Sequence, residues 1–221
     1  MQLATVSEKA NLVLIVASGP SVKSLDLTLI DDEFVKRVHI IVVNRSALWF
    51  PRYHSFFTLD PDDKTLPIMQ NQKEGVTYYA AVPLDYGNSD ARIWYHRCDL
   101  TPNVKYLQRI TGPGYLSSRA GLSENPMCIH TGNSAYGALG LAYHMKPKKI
   151  VLLGVDATPE IGYAYLDGRP RGMLFHLPNL FSSAALQLKE KNIQVLNGSA
   201  QSTVICFPRA TPNHAVDWLL S

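Results

Sequence analysis

Apolar runs and amphipathic stretches alternate along the chain. Residues 11–17 (NLVLIVA) form an almost unbroken apolar run, the pattern of a strand covered on both faces. Residues 39–44 (HIIVVN), 55–60 (SFFTLD), 76–82 (VTYYAAV), 149–156 (KIVLLGVD) and 193–197 (IQVLN) repeat it. Between them lie stretches with helical spacing: a short helix within 24–38, a capped one within 60–72, one from Asn133 onward, and helices over 177–192 and 212–221. Residues 162–176 read as a hairpin with Asp167-Gly168 at its turn. The span 83–127 is dense in Gly, Pro, Ser and Asn with little sustained periodicity, and is expected to be a partly ordered lid. Strand and helix in alternation predict an α/β fold: a Rossmann-like, mainly parallel sheet with helices on both faces, forming one nucleotide-binding domain over 1–221.

Composition narrows this only modestly. At 221 residues the chain suits one domain, and 46% apolar with 18% charged residues is ordinary for a packed core. The net charge of +3 comes without a Lys/Arg run, so it permits an anionic ligand without demanding a polyanion. No apolar stretch reaches the ~20 residues of a membrane span. The N-terminal run lacks a basic leader and reads as the first strand. Three cysteines without metal spacing argue against a disulfide framework, and the expected compartment is the cytoplasm.

The chemistry is expected where parallel strands end. Ser18, Gly19, Pro20 and Ser21 follow the first strand, Asn44 the second, Asp60 the third and Asp156 the run at 149–156. Thr131, Gly132, Asn133 and Ser134 open a helix, whose free N–H groups and dipole suit a phosphate. Each has a plainer reading as turn or cap. Neither the glycine spacing of dinucleotide-binding folds nor a Gly-Lys-Ser/Thr phosphate loop is present, which weakens dehydrogenase and kinase readings. The acidic stretch Asp60-Pro61-Asp62-Asp63 admits a metal role for Asp60 and Asp62, but helix capping explains each residue. His176 lies among apolar neighbours, compatible with a general base or with a core histidine; His130, beside the helix start, is the runner-up.

Taken in order, VLIVASGPSV, VVNRS, HTGNSAYGALGLAYHMKPKKIVLLGVD and LNGSAQSTVICFP resemble the superfamily that joins glycosyltransferase family 42, the bacterial sialyltransferases, to domain of unknown function 115. The latter includes archaeal hydroxymethylpterin pyrophosphokinases and phage or prophage proteins. The resemblance spans about residues 12–208 and is weakest at 83–127. It implies that Gly19, Pro20 and Ser21 lie near the nucleotide, Asn44 near the donor, and Thr131 to Ser134 on the nucleotide. It further implies Tyr163 assisting the departing phosphate and His176 as base. Ser18, Asp60 and Thr158 depart from the sialyltransferase pattern, which points away from sialic acid as the sugar. The expected function is therefore transfer from a nucleotide-activated sugar to an acceptor hydroxyl on a glycan, a small molecule or a modified DNA base, with no cofactor required. Two alternatives stay open. One is a Mg²⁺-dependent diphosphate transfer with Asp60 and Asp156 as ligands; the other is a non-catalytic nucleotide- or nucleic-acid-binding phage protein.

Overall fold

In the computed structural model of the chain, which describes residues 2–59, 64–83, 101–112, 118–158 and 174–221, all six apolar runs become strands, and two further strands join them. These are β1 (Leu12–Val16), β2 (His39–Val43), β3 (Ser55–Thr58), β4 (Thr77–Pro83), β5 (Lys105–Ile110), β6 (Cys128–His130), β7 (Lys149–Leu153) and β8 (Gln194–Asn197). They form one sheet in the order β6-β5-β4-β3-β2-β1-β7-β8. Each neighbouring pair is parallel. The chain starts at β1, steps outward to β6, then returns to the other side of β1 for β7 and β8. That reversal puts the topological switch point between β1 and β7.

Strand alternation divides the core between two layers of helices. Helices α1 (Asp32–Arg37), α2 (Leu66–Gln70) and α5 (Pro212–Leu220) cover one face. There Phe34, Met69, Val216 and Leu219 pack on Leu14, Ile40, Phe56 and Val151. Helices α3 (Ser134–His144) and α4 (Leu177–Glu190) cover the other face, with Leu139, Leu180 and Phe181 in one cluster with Ile15, Ile41, Phe57 and Leu152. α3 is buried almost all round, as expected of a helix enclosed by a sheet and further chain. Among the described residues, no helix is long and apolar enough to cross a membrane.

The span 83–127 needs correction. It contributes β5, a strand inside the sheet between β4 and β6. Lys105, Gln108 and Arg109 interrupt its apolar pattern, and the charge of Lys105 is matched by Glu8 at 2.6 Å. Residues 118–127 are tied to α4: Gly121 N–H donates to Ser183 Oγ (2.9 Å), Leu122 N–H donates to Gln187 Oε1 (2.8 Å), and Gln187 Nε2 donates to the Leu122 carbonyl (3.1 Å). Residues 84–100 and 113–117 lie outside the described residues, as does most of the expected hairpin at 162–176. Its last three residues, Leu174–His176, form a 3-10 turn leading into α4.

The N-terminal residues run as a strap along the amino edge of the sheet. Ala4 N–H donates to the Tyr106 carbonyl (2.8 Å), Val6 N–H to Pro126 (3.1 Å) and Ala10 N–H to Met145 (3.3 Å).

Candidate functional site at the carboxyl edge of the sheet

At the switch point the loops after β1 and β7 are locked together. Ala17 N–H donates to the Leu153 carbonyl (2.8 Å), and Gly19 N–H to that of Gly154 (2.8 Å). No side chain fits at position 19: a Cβ there would lie 1.9 Å from Asp156 Oδ2 and 2.3 Å from the Gly154 carbonyl oxygen. Gly154 itself has φ +67°, a conformation open to glycine at little cost. Pro20 opens a 3-10 turn, Pro20–Ser24, that turns the chain away from this junction.

Asp156 is the fastener. It is buried, its Oδ2 accepts from Ser21 N–H (3.2 Å) and Ser21 Oγ–H (3.0 Å), and its Oδ1 accepts from Ser199 Oγ–H (2.5 Å). Its carbonyl accepts from Thr203 N–H (3.0 Å). One carboxylate thus joins the segments that follow β1, β7 and β8. Both oxygens accept from protein donors, so this carboxylate holds the edge together.

A polar row beside this junction lies over β1 and β2. Ser18 Oγ and Ser46 Oγ are 2.9 Å apart, and Asn44 Nδ2 donates to Ser134 Oγ (3.0 Å). Asn44 has φ +52°. Among the described residues four non-glycine residues have positive φ; Lys146 and Asn192 each follow the last turn of a helix, where such a residue is common. The other two, Asn44 and Ala157, sit at the carboxyl edge, after β2 and β7. Sparsely populated backbone conformations of this kind cost of order 1–3 kcal/mol and gather at functional sites.

The start of α3 is less open to an anion than its sequence suggests. Asn133 Oδ1 accepts from the N–H groups of Ala135 (3.0 Å) and Tyr136 (3.2 Å), and the Gly137 N–H donates to the Asn133 carbonyl (2.9 Å). Thr131 is fully buried, its Oγ accepting from Asn133 N–H (3.0 Å) and donating to the Asn133 carbonyl (2.5 Å). Four donors at this helix start, Thr131 Oγ–H and the N–H groups of Asn133, Ala135 and Tyr136, are therefore used within the turn and its cap. Gly132 and Asn133 remain partly exposed. Arg109, not singled out in the sequence, reaches the turn from the end of β5, its Nε–H donating to the Thr131 carbonyl (3.0 Å). It brings a fixed positive charge to the helix start.

The two candidate bases differ. His130, at the end of β6, has Nδ1 3.1 Å from the Gly121 carbonyl. A carbonyl only accepts, so Nδ1 is the donor in this contact. The Tyr136 hydroxyl donates to the same carbonyl (2.8 Å), and burial pushes its pKa up to about 12, so it stays protonated. His176 is partly exposed at the start of α4, against the exposed ring of Phe175 at 3.8 Å between centroids. Its ring forms no hydrogen bond among the described residues, so it is not a core histidine. Because α4 runs antiparallel to the strands it connects, His176 lies on the carboxyl side of the sheet.

The structure brings together Ser18 with Ser46, Asn44 with Ser134, and Gly19 and Ser21 with Asp156. Tyr163, Asp60 and Asp62 lie outside the described residues. Among the described residues no group of three His, Cys, Asp or Glu side chains is placed to hold a metal ion. Ser46 and Ser199, both fully buried, were missed in sequence because single serines are common. No family model, curated protein or solved structure matches the chain.

Proposed function

We propose that the protein transfers a sugar from a nucleotide-activated donor to an acceptor hydroxyl, with the nucleotide laid over the carboxyl ends of β1 and β2 against the start of α3. The observation that carries this reading is the row Ser18, Ser46, Asn44 and Ser134, in which residues from three separate segments meet beside the switch point. Ligands of open parallel sheets bind in that position. Asn44, at positive φ, and the partly exposed Gly132 line that position, and Arg109 brings a positive charge beside the Thr131 carbonyl, which suits a diphosphate. His176 takes the acceptor's proton in this reading and Tyr163 assists the departing phosphate, as the resemblance to the sialyltransferases implies. Neutral imidazole suits that step near neutral pH.

The Mg²⁺-dependent diphosphate transfer is the weaker reading, because Asp156, which it makes a ligand, already accepts three hydrogen bonds from Ser21 and Ser199 and keeps one lone pair. A thermal-shift screen of nucleotides and nucleotide sugars, with and without Mg²⁺, separates the readings. A ligand that binds only the folded state raises the melting temperature progressively with its concentration. Stabilisation by a nucleotide sugar without metal supports sugar transfer, and ATP acting only with Mg²⁺ supports diphosphate transfer. Stabilisation without turnover leaves a binding module, and silence throughout overturns the proposal.

A further inference from the structure

A second cleft, independent of the proposed function, opens on the opposite edge of the sheet, where the strands begin. Its volume is about 490 Å³, within the usual range for small-molecule sites. Lys9 of the N-terminal strap, Tyr143 and His144 of α3, Lys146 just beyond α3, Lys191 beyond α4 and Glu124 line it. Glu124 is already matched: its Oε1 accepts from the Tyr143 hydroxyl (2.6 Å) and Gln187 Nε2 (2.9 Å), with Lys191 Nζ at 3.7 Å. Lys9 and Lys146 make no ion pair among the described residues. The cleft therefore carries two positive charges in excess.

His144 adds selectivity. It is 7% exposed, with Nε2 3.0 Å from the Cys128 carbonyl. The carbonyl requires the proton on Nε2, so Nδ1 is a lone pair, and it has no hydrogen-bond partner among the described residues. Burial holds the ring below its ordinary pKa, with Glu124 and the Cys128 carbonyl favouring the proton and His130 and Lys9 opposing it. An unpartnered acceptor in a cleft lined by lysines calls for an anion that still carries a proton. Sulfate and ionised carboxylates have none to donate, whereas a phosphate group with its second pKa near 6 does.

We infer that this cleft is a binding site for a phosphate group, free or as a small monoester, whose P–OH donates to His144 Nδ1 while Lys9 and Lys146 balance its charge. The lysines also suit the negative ends of α3 and α4, and if that is their whole role the cleft binds no phosphate. The test is calorimetric titration of the full chain with inorganic phosphate, ribose 5-phosphate and sulfate, at constant ionic strength and at pH 6 and pH 8. Saturable phosphate or ester binding is expected, about tenfold tighter at pH 6, with sulfate about tenfold weaker. Lys146→Glu, at an exposed position, should weaken binding about tenfold by reversing a local charge. His144→Phe should remove the preference over sulfate. A tighter ester identifies an esterified ligand, and equal affinities identify the free ion. Absence of saturable heat, equal affinity for sulfate, or binding indifferent to Lys146→Glu overturns the inference.

Discussion

Removing the Asp156 carboxylate should unfasten the carboxyl edge, and the cost follows from its partners. In Asp156→Ala, Ser199 Oγ–H and Ser21 N–H and Oγ–H lose their acceptor. Ser199 is fully buried, so its hydroxyl cannot turn to water, while Ser21 is partly exposed and recovers some hydration. An unsatisfied buried donor costs about 1–3 kcal/mol, and hydrogen bonds to a charged group lie at the upper end. The variant should therefore lose about 3–5 kcal/mol. Asp156→Asn should lose only about 1–2 kcal/mol, because its oxygen can still face Ser21 while Ser199 rotates to accept from the amide. Urea unfolding with an unchanged denaturant slope measures both. If Asp156→Ala stays within about 1 kcal/mol of the parent while nucleotide binding disappears, Asp156 contacts the ligand and the fastener reasoning is refuted.

Other perturbations probe the same account. Gly19→Ala should destabilise by about 3 kcal/mol or more, because its Cβ meets a carboxylate and a backbone carbonyl, neither free to move; chemical denaturation checks it. Stability should fall as pH drops from 6.5 toward 4. Burial, aided by His54, holds His39 neutral in the fold, with a pKa lowered to about 4, whereas the unfolded chain takes up the proton near 6.5. That difference corresponds to about 3 kcal/mol, fully present above pH 6.5 and lost on acidification. His39→Gln should flatten the profile in pH-dependent melts, leaving the smaller contributions of His54 and His144, which burial also lowers. His176→Ala should cost at most about 0.5 kcal/mol of stability, the surface value, while lowering turnover about 10²-fold once a substrate pair is found.

The fold was legible where burial on both faces writes an unbroken apolar run, as in β1, β2 and β7. It was not legible in β5, where KYLQRI mixes apolar residues with polar ones whose partners are distant: Lys105 needs Glu8, and Arg109 needs the Thr131 carbonyl. Three-residue β6 is too short to show a period. Which candidate residues share the carboxyl edge was legible, since residues ending parallel strands must lie on one edge. Its pairings were not: Ser21 and Asp156 are 135 positions apart, and Asn44 and Ser134 are 90 apart. Asn133 shows the limit of local pattern reading. The same residue type that suggests phosphate binding at a helix start also caps that start with its own oxygen.

The most direct test of the proposed site is amide NMR mapping of the nucleotide or nucleotide sugar that stabilises the protein best. Saturable shifts should gather at Ser18 to Ser21, Asn44 to Ser46 and Thr131 to Ser134, and Asn44→Ala should weaken binding about tenfold through the lost amide contact. Shifts confined to the amino edge around Lys9, His144 and Lys146, with the carboxyl edge silent, would contradict a nucleotide site over β1 and β2.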